Sequence, residues 1–116
     1  ISKLKNNDIK VGLALLPETT VESVKDILPR FDHVLIFGGN LGYQGGKPAD
    51  LSQLVKVNQC KVFNNYLEFG WDGGANSQNC AEIANAGINV INVGSAIQKA
   101  PNPAQEYVTL TELATK

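Results

Sequence analysis

LEFGWDGGANSQN, residues Leu67 to Asn79, runs from an alternating apolar stretch directly into a glycine pair and a polar turn. Period-two alternation puts Leu67, Phe69 and Trp71 on one face of a strand, and Glu68, Gly70 and Asp72 on the other. The bulky face needs helices over it. The opposite face, small and acidic, suits the interior of a barrel, where Asp72 would occupy the last layer and project into the mouth. A lone carboxylate there can ligate a metal or give and take a proton, because burial raises its pKa and a nearby cation lowers it. The competing reading is a helix-capping or loop aspartate, common at such turns.

Working outward, the segment after Gly73-Gly74-Ala75 reads as a helix with Asn76 as N-cap and Gly87 as stop, carrying Ala81, Ile83, Ala84 and Ala86. Upstream, Ile9–Leu16 is a continuous apolar run, expected to be a strand covered on both faces and ended by Pro17. ETTVESVKDIL follows, with Thr19 and Glu22 in a capping-box pattern and Val21, Val24, Ile27 and Leu28 at helical spacing before Pro29. His33–Phe37 is a second strand, followed by the loop GGNLGYQGGKP and a helix from about Ala49 with Leu51, Leu54, Val55 and Val57. Val90–Val93 is a fourth strand, followed by GSAIQKAPNP and a terminal helix bearing Tyr107, Val108, Leu110 and Leu113.

Four strand and helix units in tandem, without hairpin signals, imply an α/β domain over residues 1–116 with parallel pairing through right-handed crossovers. Periodicity leaves an open sheet and part of a closed barrel equally available. Glycine clusters follow three of the four strands, which puts function at the carboxyl ends of the strands. Gly73 with Gly74, and Gly94 with Ser95, precede expected helix starts. Their backbone N–H groups could hold one phosphate, against a reading in which the glycines serve only tight turns. The loop from Gly38 to Gly46 is long and glycine-rich, so a lid over a ligand is expected, with Tyr43 closing on it; a plain surface loop is the alternative. His33, the one histidine, opens its strand and so lies at the end away from Asp72; it is read as structural. Cys60 and Cys80, without metal-ligand spacing, are read as reduced, partly buried thiols.

Composition excludes several classes. With 43% hydrophobic and 18% charged residues the chain is an ordinary globular domain. Ten Lys+Arg against 11 Asp+Glu give a formal net charge of −1, which disfavours nucleic acid and anionic membrane as partners. No apolar run approaches the roughly 20 residues of a bilayer span, and the chain is read as cytoplasmic. Ile1 opens the sequence and SKLKNND reads as the tail of a helix already under way, so an upstream segment is expected to be missing.

VGLALLPETTVE, HVLIFGGNLGYQGGK, WDGGAN and AGINVINVGSAI together resemble the carboxyl-terminal half of the ribulose-phosphate 3-epimerase family, over nearly the whole chain. The resemblance implies the last four βα units of a phosphate-binding (β/α)8 barrel. It further implies that Asp72 binds a divalent metal of the Zn, Fe, Mn or Co class and exchanges a proton at C3 of a ketopentose or related ketose phosphate, opposite a second aspartate. Gly73, Gly74, Gly94 and Ser95 would hold the phosphate, Asn40, Gly42, Tyr43 and Gly46 would cover the substrate, and Phe37 would lie near the sugar, where methionine is usual. Gly70 stands where an acidic residue is common in the family, and Leu16 where a polar one is. The second acid, the histidine ligands and a neighbouring serine belong to the first half of such a barrel, outside this sequence. A related barrel that decarboxylates or condenses sugar phosphates fits NLGYQGGK and WDGGAN less well.

A closed barrel takes roughly 200 residues or more, and this chain is about half that. Alone it would leave two unpaired strand edges and an apolar inner face. Two arrangements follow: a homo-oligomer that pairs edges, or a missing amino-terminal half supplied from elsewhere. Functionally, an isomerase that is incomplete as an isolated chain stands beside a non-catalytic phosphate-binding half-barrel or assembly module.

Overall fold

Each of the four apolar runs becomes a strand of one sheet in a computed structural model that describes residues 1–39 and 49–115. These are β1 (Gly12–Leu15), β2 (His33–Phe37), β3 (Glu68–Asp72) and β4 (Val90–Asn92). All pairs are parallel and spatial order follows chain order, β1-β2-β3-β4. A short helix α1 (Ser2–Lys5) precedes the sheet. The other helices are α2 (Val55–Phe63), α3 (Cys80–Asn85), α4 (Ser95–Gln98) and α5 (Pro103–Ala114).

Alternation decides which face is covered. Val34, Ile36, Phe69 and Trp71 are fully buried, together with Leu15, Leu28, Val57, Cys60 and Ile83. Burying a large apolar side chain contributes roughly 1.5–3 kcal/mol, so this layer between sheet and helices is where the fold is held. The opposite face carries Gly12 and Ala14, both exposed, and Leu35, Phe37 and Asp72, half-buried. β1 is therefore shorter than the Ile9–Leu16 run and is covered on one face, not two. Among the described residues the second face of the sheet is left exposed at Gly12 and Ala14 of this strand. The radius of gyration, 14.9 Å, exceeds the about 13 Å of a closed globule of this length.

Paired clamps set the register at the amino ends of the strands. The Asp32 carboxylate accepts from the Val11 N–H at 2.8 Å and from the Lys5 ammonium at 3.1 Å, while the Asp32 N–H donates to the Val11 carbonyl at 2.8 Å. Asn89 does the same for β4: its side-chain oxygen accepts from the Phe69 N–H, and its own N–H donates to the Phe69 carbonyl, both at 2.8 Å.

The helix expected after Pro17 is replaced by two 3-10 turns, Glu22–Val24 and Leu28–Arg30. Only eleven residues separate Pro17 from Pro29, three of the first four being Thr or Val, and a helix that short is marginal. The turn is closed by Thr20, whose hydroxyl accepts from the Ser23 N–H at 3.2 Å, and not by Thr19. After β2 a 3-10 turn, Leu51–Leu54, leads into α2, with Asp50 capping it through the Ser52 N–H at 3.1 Å. After β3, α3 begins at Cys80, not next to Asn76, and Gly87 at φ 107 ends it as expected. In α5, Asn102 caps and Pro103 opens the helix, but only Leu110 is buried; Tyr107, Val108 and Leu113 face outward.

Candidate functional site

The parallel register lines up Phe37, Asp72 and Asn92 side by side at the carboxyl ends of β2, β3 and β4. All three lie on the open face, since Ile36, Trp71 and Ile91 alternate with them toward the helices. Asp72 thus stands in the last row of the uncovered face. Asn92 completes this row and is absent from the sequence expectations; counting back by two from Gly94 within VINVG would have found it.

The rim above that row is made by glycines forced together. The Gly38 N–H donates to the Asp72 carbonyl at 2.8 Å, and a Cβ at Gly38 would fall within the six-membered ring of Trp71. Gly73 has φ 133, and a Cβ there would come within 2.7 Å of the Gly39 nitrogen. Both positions require glycine, one for close approach and one for backbone sign. The Trp71 indole N–H donates to the Gly73 carbonyl at 2.9 Å, so the buried ring reaches up to hold the turn. Asn79 then ties it from the far side, its amide donating to the Gly74 carbonyl at 3.0 Å.

The two glycine turns differ in a way the sequence does not disclose. Gly94 directly precedes α4, whereas Gly73 and Gly74 are separated from α3 by the turn Ala75–Asn79. Asn76 works inside that turn, accepting from the Gln78 N–H at 2.8 Å. Ser95 is the first residue of α4 and half-buried. The expected cover residues Asn40, Gly42, Tyr43 and Gly46 lie outside the described residues. Beyond them the chain returns to the rim through the Asp50 N–H, which donates to the Gly38 carbonyl at 2.7 Å.

A buried cation supports the same rim at β1. Lys56 is 7% exposed, and its ammonium donates to the carbonyls of Leu16 at 2.9 Å and Pro17 at 3.2 Å. Burial pushes its pKa below the usual lysine value, with the nearby Glu18 opposing. No sequence signal marks it, because its partners lie about 40 residues away and it sits on a helix face that reads as polar.

His33 lies at the opposite end of the open face, its Nδ1 2.8 Å from the Glu68 carboxylate. Its ring covers Gly70: a Cβ there would meet Nε2 at 2.8 Å. The glycine at the position where the resembled family carries an acid is therefore the space the imidazole occupies. Among the described residues no three of His, Cys, Asp and Glu come together to hold a metal ion. Asp72 offers one carboxylate, and a closed ligand set would need donors from outside this group. Among the described residues no helix is long and apolar enough to cross a membrane. Both cysteines are free and buried, as expected, and burial pushes the Cys60 thiol up to about 11.

The model of the ribulose-phosphate 3 epimerase family matches residues 1–98. The ribulose-phosphate 3-epimerase of Helicobacter pylori is 36% identical over 99 residues, covering 83% of this chain and 46% of that protein. That of Mycobacterium tuberculosis is 31% identical over 108 residues, covering 90% and 47%. The chain spans about half the length of the curated relatives it matches. Among solved structures, 3-hexulose-6-phosphate synthase from Salmonella typhimurium superposes with a TM-score of 0.73 at 19% identity, over 97% of this chain and 53% of that one. That barrel likeness defines the fold as four consecutive βα units, half of a (β/α)8 barrel.

Proposed function

The chain belongs to the ribulose-phosphate 3-epimerase family, as the carboxyl-terminal half of its barrel, and on that premise we propose that it supplies half the site of a sugar-phosphate 3-epimerase. The observation that carries the reading is the row Phe37, Asp72 and Asn92 beneath the glycine turns on one open rim. In this reading Asp72 is one of two acid/base groups that exchange the C3 proton of a ketopentose phosphate, the second standing on the other side of the substrate. Backbone N–H groups of Gly73, Gly74, Gly94 and Ser95 hold the phosphate, Phe37 lies along the sugar chain, and Asn40, Gly42, Tyr43 and Gly46 cover it. A divalent metal, where the missing ligands are present, would take Asp72 as one donor and stabilise the enediolate charge. The sheet's other half, with the second acid, comes from outside these residues.

A second reading, a phosphate-binding half-barrel without catalysis, is favoured by one fact. The other carboxylate on the open face, Glu68, is at the far end and engaged with His33. One experiment separates the two. The purified chain, mixed with the amino-terminal half of a ribulose-phosphate 3-epimerase supplied as a separate polypeptide, is incubated with a ketopentose phosphate and a divalent metal in heavy water, and C3 is followed by NMR. Deuterium at C3 that vanishes in Asp72→Asn supports the epimerase reading. Retained binding of inorganic phosphate without exchange leaves the binding module.

A further inference from the structure

Asn64, Asn76, Asn79, Asn89 and Asn102 each hold backbone in place. Asn64 donates to the Leu28 and Phe31 carbonyls and Asn79 to that of Gly74. The side-chain oxygens of Asn76, Asn89 and Asn102 accept from the backbone N–H groups of Gln78, Phe69 and Gln105. Asn92 differs. It closes β4, where strand preference disfavours asparagine, and α4 is entered through Gly94 without a side-chain cap. Asn92 is exposed on the open face, in one row with Asp72, its register partner on β3. One strand spacing, about 4.8 Å, separates the two main chains. Two residues further on, β4 runs into Gly94 and Ser95.

We propose that Asn92 is a specificity-determining residue that reads a sugar hydroxyl between the reacting carbon and the phosphate. The inference rests on the half-site reading above and deepens it. With C3 over Asp72 and the phosphate on the turns Gly73–Gly74 and Gly94–Ser95, as in that reading, the sugar chain between them passes over the end of β4. In a ketopentose phosphorylated at its terminal carbon, the group carried there is the C4 hydroxyl. An amide suits it, because the carbonyl oxygen accepts the hydroxyl proton and the NH2 group donates to the hydroxyl oxygen. It also adds no charge, so it does not compete with Asp72 for a proton or a cation. From β2 to β4 the row runs aromatic, acid, amide, so its hydrogen-bonding capacity beyond the acid lies only on the side of the Gly94 turn.

The test is binding, measured by calorimetry on this chain completed by the amino-terminal half of a ribulose-phosphate 3-epimerase as a separate polypeptide. The probes are a ketopentose phosphate, its 4-deoxy analogue and inorganic phosphate. The wild type is expected to hold the 4-hydroxy compound about tenfold or more tightly than the 4-deoxy one, because removing the hydroxyl leaves the amide unpaired. Asn92→Val, a residue suited to a strand, is expected to bind the two equally and to bind inorganic phosphate as the wild type does. A wild type indifferent to the hydroxyl, or an Asn92→Val chain as selective as the wild type, overturns the proposal. So does loss of inorganic phosphate binding in Asn92→Val, which would make Asn92 a support of the Gly94 turn. A wild type that binds none of the three probes sinks the half-site reading and this proposal with it. Selective binding that depends on Asn92, without deuterium at C3, fails the epimerase reading alone.

Discussion

Gly38 and Asp72 are joined backbone to backbone, the Gly38 N–H donating to the Asp72 carbonyl at 2.8 Å, so the rim is latched to the main chain of the residue proposed to do the chemistry. Only glycine permits this approach, because Trp71, fully buried, fills the space where a side chain at 38 would stand. Gly38→Ala is expected to lower stability by about 1–3 kcal/mol through overpacking. Gly12→Ala is the control: its Cβ meets nothing nearer than 3.4 Å, so urea melts should show little loss or a slight gain.

Lys56→Met keeps the aliphatic stem and removes the ammonium, leaving the Leu16 and Pro17 carbonyls without their donor. A loss of about 1–3 kcal/mol is expected, read by chemical denaturation. A loss no larger than that of Lys61→Met, on the exposed side of the same helix, would show that the capping is dispensable.

The thiol of Cys60 is held above its ordinary value of 9.0, at about 11, by burial. In the unfolded chain it ionises near 9, while the folded chain keeps its proton, so its contribution to stability is whole below pH 9 and is lost as pH rises through about 11. Lys56 acts oppositely: its folded pKa lies below 10.5, so the cost of burying its charge is relieved as pH climbs toward that value. Cys60→Ala should therefore flatten the alkaline fall in melting temperature. Native protein at pH 8 should also label slowly at Cys60 and Cys80 and fast once unfolded.

Asp32 is pulled below the usual carboxylate range, first by the Val11 N–H and then by Lys5. Its stabilisation is present above the unfolded value of 3.8 and disappears as pH falls through its lower folded pKa. Asp32→Asn should blunt acid unfolding and increase hydrogen exchange at Val11, where the edge strand begins.

Asp72→Asn is expected to change stability by no more than about 0.5 kcal/mol, because the ladder contact uses its carbonyl and not its carboxylate. C3 exchange should be abolished with inorganic phosphate binding unchanged. Loss of both would mean that the turn itself had moved.

The strands are legible in the sequence because alternation is local: Leu67 to Asp72 carries its two faces within six residues. The site row is half legible by the same logic. Asp72 and the glycines stand out by residue type, while Asn92 joins them only through a register that pairs it with a residue 20 positions away. Lys56 and the Gly70–His33 fit are hidden for that reason, since each is a long-range contact between unremarkable residue types. The segment from Pro17 to Pro29 misleads because its apolar spacing is helical and its length is not, and two 3-10 turns bury Val21 and Leu28 without a continuous helix.

Since spatial order along the sheet repeats chain order, no strand inserts between two laid down earlier. A nascent chain leaving the ribosome can add each unit to the growing edge as it emerges, without waiting for a distant segment. Among the described residues β4 with α5 forms after the other units in such a sequence, so ordering of α5, followed in a stalled-translation series, should trail that of β1 to β3.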